Sequence, residues 1–178
     1  MSAPELSRPI RIDTLGETPH RLSIEADGEE RAALAKRFGL VAVGRLTAEA
    51  ALSRKDDVVR AGGTVVGEVT QSCVASGEPV EARIETPFEL VFRPQPDVAA
   101  AEEEIELSEQ ELDTIFYEGG AVDIGEAVAE TLFLNLDPYP RAPGAEDALI
   151  AAGVKSEAEA GPFAALAGLR DRLKKDAP

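Results

Sequence analysis

Two side chains of this 178-residue chain have the chemistry of a nucleophile and its base, because Cys73 is the only cysteine and His20 the only histidine. A thiol nucleophile needs a base within hydrogen-bonding distance, and nothing in the sequence brings His20 to Cys73. A structural zinc site takes about four ligands, drawn mainly from Cys and His. Since free cysteine is among the most buried residue types, we interpret Cys73 as a packing residue and predict no catalytic residue, no metal site and no cofactor.

Other candidate sites have simpler interpretations. Glu102, Glu103 and Glu104 lie together without the spacing of a calcium-binding loop, so we interpret them as part of a solvated acidic loop. The glycine pairs lack the spacing and the following lysine of a phosphate-binding loop. We therefore expect a binding or assembly protein rather than an enzyme. The alternative is a thiol-dependent enzyme or redox sensor that uses Cys73.

Acidic charge is concentrated in one segment. The formal net charge is −16, and between Arg93 and Arg141 thirteen acidic residues occur without a single basic one. Such a segment repels phosphate backbones and attracts basic surfaces, whose encounter it accelerates electrostatically. We therefore expect a basic partner.

The elements that would position these residues begin with strands. The clearest has its apolar residues at every second position of 80–92. A second strand at 64–74 is followed by turn residues, so the two predict a hairpin. On this register Cys73 lies on the same side as Val65 and Val69, which predicts that it is buried. The stretch 40–55 also alternates, and we predict that Ala61, Gly62 and Gly63 turn it back to form a meander. Residues 9–12 and 20–26 are expected to add two more strands to this sheet.

Three helices are expected. Asp27 with Glu30 forms the pattern of a capping box, and Asp123 with Glu126 repeats it before a second apolar run. A third helix is predicted at 162–175. The predicted fold class is α+β, with an antiparallel sheet, open or curled into a partial barrel, packed by two or three helices.

The chain is expected to form one domain over 1–178. Its core spans about 7–140, with an acidic loop at about 94–113 and a flexible connection at about 142–161 before the C-terminal helix at about 162–175. No stretch reaches the roughly 18 uncharged apolar residues of a membrane helix, and the first residues have no apolar signal-peptide core. We therefore expect a cytoplasmic protein that does not enter the membrane.

The order of three motifs identifies a family resemblance. The hairpin motif lies at Cys73, Ser76, Gly77, Pro79 and Val80. The helix motif lies at Asp123, Ile124, Glu130, Leu132, Leu134 and Pro138. A closing Pro-Phe-x-x-Leu lies at Pro162, Phe163 and Leu166. In this order, over about 40–170, the chain resembles the bacterial YceD-like family, which is named for accumulation of large-subunit ribosomal RNA.

The resemblance implies a cytoplasmic factor in ribosome biogenesis that supports accumulation or processing of large-subunit ribosomal RNA. In the family the hairpin commonly carries Cys-x-x-Cys, and here Ser76 takes the place of the second cysteine. A metal-binding or oxidation role of paired cysteines is therefore not carried over to this chain.

The resemblance and the charge together suggest how the chain acts. The first hypothesis is that the acidic segment binds a basic ribosomal protein or assembly factor. Its candidate partner-binding residues are Glu102, Glu103, Glu104, Asp123, Glu126 and Glu130. The alternative is direct RNA binding through the basic tail at 170–175 and scattered arginines such as Arg45, Arg54 and Arg60.

Overall fold

The computed structural model describes residues 4–96 and 114–154. The strands are β1 (Pro9–Arg11), β2 (His20–Glu25), β3 (Ala42–Lys55), β4 (Val58–Ser72), β5 (Pro79–Pro94), β6 (Thr114–Tyr117) and β7 (Ala121–Asp123). The helices are α1 (Gly28–Phe38), α2 (Ile124–Leu134) and α3 (Ala145–Ala151), with a 3-10 turn at Ile12–Thr14. The predicted α+β class is confirmed.

The described residues divide into two compact units. Unit 1 comprises 4–71, 79–96 and 114–138, and it contains the sheets with α1 and α2. Unit 2 comprises 72–78 and 139–154 and contains α3. The predicted acidic loop, apart from its first residues 94–96, and the predicted C-terminal helix lie outside the described residues. The helix α3 was not predicted, and it lies within the stretch interpreted as a flexible connection.

Unit 1 is built on a mostly antiparallel five-stranded sheet in the order β2-β3-β4-β5-β6. The predicted meander of β3, β4 and β5 is confirmed, as is the addition of β2 beside β3. β6 runs parallel to β5, with Val91 opposite Thr114. In the described residues β2 and β6 are the two edges of this sheet. The sheet is therefore open and does not form the partial barrel that was the predicted alternative.

The prediction that residues 9–12 join this sheet is wrong. β1 pairs instead with β7, with Pro9 opposite Asp123, in a separate two-stranded sheet. The reason is the carboxylate of Asp123, which accepts hydrogen bonds from the Arg8 amide at 2.8 Å and the Ser7 hydroxyl at 2.6 Å. These bonds hold the N-terminal strand at the start of α2.

The predicted turn at residues 61–63 is also wrong. The chain reverses at Asp56 and Asp57, and Asp56 takes the left-handed conformation with φ 54°. Gly63 lies inside β4, opposite Ala50 of β3. A Cβ atom at Gly63 would lie 2.0 Å from the carbonyl oxygen of Glu49, so glycine is needed here for close approach of two backbones rather than for a turn.

The helices α1 and α2 cover one face of the sheet. Alternate residues of the long strands are buried on this face, including Leu46 and Leu52 of β3 and Val65 of β4. α2 packs closely on β4, because a Cβ atom at Gly67 would lie 2.4 Å from Leu132 Cδ1. The other face of the sheet therefore meets solvent.

The predicted helix starts are confirmed with one difference. α1 begins with the full capping box of Asp27 and Glu30. Asp123 caps α2 by accepting hydrogen bonds from two backbone amides, but the carboxylate of Glu126 binds Arg37 of α1. Among the described residues, no helix has the length and apolar character needed to cross a membrane.

Candidate functional site

Cys73 lies in a tight turn of unit 2. Its amide donates to the Glu78 carbonyl at 2.8 Å, and the Gly77 amide donates to the Cys73 carbonyl at 2.9 Å. Cys73 is 3% exposed, which confirms the prediction that this residue is buried. Its sulfur accepts hydrogen bonds from the amides of Ser76 at 3.4 Å and Ala142 at 3.3 Å.

These donors make the Cys73 thiol unusually acidic. The Ala142 amide, followed by the hydroxyl and amide of Ser76, lowers its pKa from 9.0 to about 6. Hydrogen bonds to a charged form favour that form, so the amides stabilise the thiolate although the sulfur is buried. The sequence alone did not indicate this, because one of the donors lies 69 residues away along the chain.

The histidine that was considered as a base for Cys73 belongs to unit 1. His20 is the first residue of β2 and pairs with Leu52 of β3, with its side chain exposed. Within 4–96 and 114–154, no group of three His, Cys, Asp or Glu side chains has the geometry to hold a metal ion.

Asp123, one of the predicted partner-binding residues, uses its carboxylate for hydrogen bonds within the fold. One of its oxygens accepts from the amides of Arg8, Gly125 and Glu126, and the other accepts from the Ser7 hydroxyl. This carboxylate therefore joins the N-terminal strand to the first turn of α2.

Glu126 joins the two helices. Its carboxylate accepts hydrogen bonds from both terminal nitrogens of Arg37, at 2.6 and 3.0 Å. Arg37 also forms an ion pair with Glu5 at 2.9 Å. The hydrogen bond to Glu126 is the main cause of the raised pKa of Arg37. Phe38 stacks on Phe133 of α2 with ring centroids 4.7 Å apart, so α1 and α2 lie side by side.

Glu130 is exposed and shares one side of α2 with two apolar residues. Phe133 and Leu134 follow at the i+3 and i+4 positions, and they are 47% and 80% exposed. We call Glu130, Phe133 and Leu134 the α2 face. Six residues were predicted to bind a partner. Of the three that the structure describes, Glu130 is the one whose carboxylate faces solvent. Glu102, Glu103 and Glu104 lie outside the described residues.

A second site, at the turn between β3 and β4, was not predicted as a cluster. Here a cleft of about 420 Å³ is lined by four cationic side chains and two carboxylates, Arg54, Lys55, Arg60, Arg93, Glu17 and Asp56. We call it the hairpin cleft. Two of the arginines considered for RNA binding, Arg54 and Arg60, meet in it. Arg45 pairs with Glu68 near the opposite end of the same two strands.

The fold and these sites define an α+β protein with a helical layer on one face of its main sheet and a cationic cleft at the turn end of that sheet. Comparison with protein families then assigns the chain more narrowly. The model described as "Large ribosomal RNA subunit accumulation protein YceD" matches residues 61–170, more than half of the chain. The chain belongs to this family, as its motifs predicted. Comparisons with curated proteins and with solved structures gave no significant match.

Proposed function

We propose that this chain is a non-enzymatic factor that supports accumulation or processing of large-subunit ribosomal RNA. The observation that carries the proposal is its membership of a family described by that accumulation. The buried position of Cys73 and its backbone hydrogen bonds favour a structural use of the thiol. Action in the cytoplasm is part of the proposal.

The mechanism we propose is binding of a basic ribosomal protein or assembly factor. Acidic charge favours this class of partner, since thirteen carboxylates and no basic residue lie between Arg93 and Arg141. Electrostatic complementarity raises the rate of encounter and excludes like-charged competitors. The acidic residues Glu102, Glu103 and Glu104 would attract the partner from one part of this segment, and the α2 face would bind it from another.

The α2 face has the features of a small docking surface. Phe133 and Leu134 supply exposed apolar contact area, and Glu130 supplies a charge beside them. Phe133 is held by its stacking on Phe38, so little side-chain freedom would be lost on binding. Arg37 does not oppose a basic partner here, because Glu126 and Glu5 neutralise its charge.

Pull-down with identification of the bound ribosomal proteins tests this mechanism. A variant with Glu130→Gln and Leu134→Ser should reduce recovery of one identified basic ribosomal protein or assembly factor by about tenfold, the effect of losing roughly 1.4 kcal/mol of binding free energy. The matched control carries Glu49→Gln and Val41→Ser, which change an exposed carboxylate and an exposed apolar residue elsewhere in unit 1. Equal recovery with both variants would rule out the α2 face.

The acidic segment is tested separately by neutralising Glu102, Glu103 and Glu104 together. Each variant is then used to complement a deletion strain, whose ribosomal subunits are separated on sucrose gradients. A deficit confined to the large subunit and its RNA is expected for the deletion and for variants that lose the partner. Normal profiles in the deletion strain would contradict the proposed function itself.

The alternative enzymatic or redox mechanism has a direct test in the same strain. Cys73→Ser retains a hydrogen-bond acceptor but has no ionisable or oxidisable thiol at this position. We expect it to complement fully. Loss of complementation by a folded Cys73→Ser protein would restore a chemical role for the thiol.

A further inference from the structure

The hairpin cleft brings together cations that are distant in sequence. Ser53 pairs with Arg60 and Lys55 with Val58, so the side chains of these two strands that face away from the core converge beside the turn. β5 lies next to β4 in the sheet and contributes Arg93 from the same solvent-facing parity. The cleft is therefore a product of the sheet rather than of one basic motif.

One of the four cations is held in place by the backbone. Arg54 donates to the carbonyl oxygens of Ile12 at 3.0 Å and Asp56 at 2.5 Å. Because its guanidinium is already oriented, little conformational entropy would be lost when an anion binds. Its contact with the Asp57 carboxylate is long, at 3.5 Å, and Asp57 is largely exposed.

The charge of the cleft is opposite to that of the whole chain. Four cationic and two anionic side chains line it, and the Asp57 carboxylate lies 3.5 Å from Arg54, so the local net charge is +1 in a protein of net charge −16. Lys55 and Arg60 are exposed, and neither makes an ion pair with any other residue in 4–96 or 114–154. Since charges are screened over about 8 Å at physiological salt, an anion in the cleft responds mainly to these local groups.

We propose that the hairpin cleft binds the phosphate backbone of RNA. Lysine and arginine side chains bind phosphate oxygens without reading the base sequence, and their affinity comes largely from release of counterions. The choice of RNA among polyanions rests on the proposed function. Lys55, Arg60 and Arg93 lie on the solvent-facing side of the strands, whereas α2 packs on the other face. RNA and a basic protein would therefore bind without competing.

Fluorescence anisotropy with labelled fragments of large-subunit ribosomal RNA, single-stranded and duplex, tests the cleft. The full chain should bind at low salt, with an affinity that falls linearly as the logarithm of salt concentration rises. A Lys55→Gln and Arg60→Gln variant should bind about five- to twentyfold more weakly. Its salt slope should be smaller by about 1.4 for single strands and about 1.8 for duplex, as expected for two lost phosphate contacts.

A matched control separates the cleft from the overall charge. Lys36→Gln with Arg45→Gln removes one lysine and one arginine that are also exposed and lie outside the cleft. This control should change the affinity less than twofold. Equal weakening by the two variants, or no binding by the wild-type chain at low salt, would overturn the proposal. Circular dichroism verifies that both variants remain folded.

One further measurement defines what the cleft binds. Displacement of the RNA by millimolar inorganic phosphate at constant ionic strength would identify a pocket for a small anion and overturn RNA binding. The titrations contain no protein partner. A flat titration would therefore end the cleft proposal while leaving partner binding through the acidic surface to its own test.

Discussion

At the scale of single residues, Cys73 shows how backbone amides change the acidity of a buried side chain. The sulfur is buried and accepts two amide hydrogen bonds, so the thiolate is stabilised where solvent and substrates do not reach it. A nucleophile needs both a low pKa and access to its substrate, and the burial of Cys73 favours a structural use of its thiol. The single cysteine is best understood as the centre of a turn.

The acidic thiol predicts a pH dependence of stability. The pKa of Cys73 is about 6 in the folded chain and 9.0 ordinarily, so the folded state binds fewer protons between these values. Its contribution to the free energy of unfolding is complete above about pH 9 and is lost as pH falls through about 6. Urea denaturation across this range should show stability rising with pH relative to Cys73→Ser. Parallel curves for the two proteins would show that the thiol is not acidic.

Asp123 predicts a structural rather than a binding phenotype. Asp123→Ala removes the cap of α2 and the bonds to Ser7 and Arg8, so the free energy of unfolding should fall by about 2 kcal/mol. Chemical denaturation measures the change. The control is Glu130→Ala on the same helix, which should change stability by less than about 0.5 kcal/mol because its side chain is exposed.

At the scale of elements, the contact of α2 with β4 depends on the absence of a side chain. A Cβ atom at Gly67 would clash with Leu132, and a Cβ atom at Gly63 would clash with the β3 backbone at Glu49. Glycine is costly inside a strand, and here that cost permits close packing of neighbouring elements. The helix layer is therefore specified partly by the strand beneath it.

Gly67→Ala is expected to lower the free energy of unfolding by about 1–3 kcal/mol, because the added Cβ would lie 2.4 Å from Leu132 Cδ1. Denaturant titration gives the value. Gly28→Ala is the matched control, since its Cβ position in α1 is open. In the double variant with Leu132→Ala, the loss should be smaller than the sum of the two single losses. Strict additivity would mean that the two positions do not meet.

At the scale of the whole molecule, the uneven charge has a structural counterpart. In unit 1 the solvent-facing carboxylate of the α2 face lies on the helical side of the sheet, and the hairpin cleft opens on the other side. On this arrangement we propose that the chain binds a basic protein and an RNA at once. Net charge alone argues against RNA binding, and the local arrangement of charges argues for it.

This arrangement predicts that the two surfaces act independently. The Lys55→Gln and Arg60→Gln variant should keep the recovery of the basic partner, and the Glu130→Gln and Leu134→Ser variant should keep RNA affinity within about twofold. Distant sites without shared contacts usually contribute additively. Pull-down and anisotropy on both variants and their combination measure this. Loss of both activities in either variant would indicate one shared surface or a damaged fold.

The sequence by itself determined the local elements, because their signals lie within a few residues of each other. Alternation of apolar residues placed β3 and β5, the capping box of Asp27 and Glu30 placed α1, and Asp123 placed the start of α2. The β-branched residues of 64–74 indicated β4 but placed its start at 64 instead of Val58. Register along β4 was sufficient to predict the burial of Cys73. The ordered motifs were sufficient to predict the family.

The tertiary structure alone decided which distant residues meet. Glycine at 63 and 67 has the same signal in sequence whether it turns the chain or admits a neighbouring element, and only the facing atoms of Glu49 and Leu132 distinguish the two. Pairing of β1 with β7, the parallel pairing of β6 and the meeting of Arg93 with Lys55 likewise depend on contacts between distant parts of the chain. Each such contact is weak and leaves no local pattern, so the hairpin cleft became visible only when the sheet was assembled.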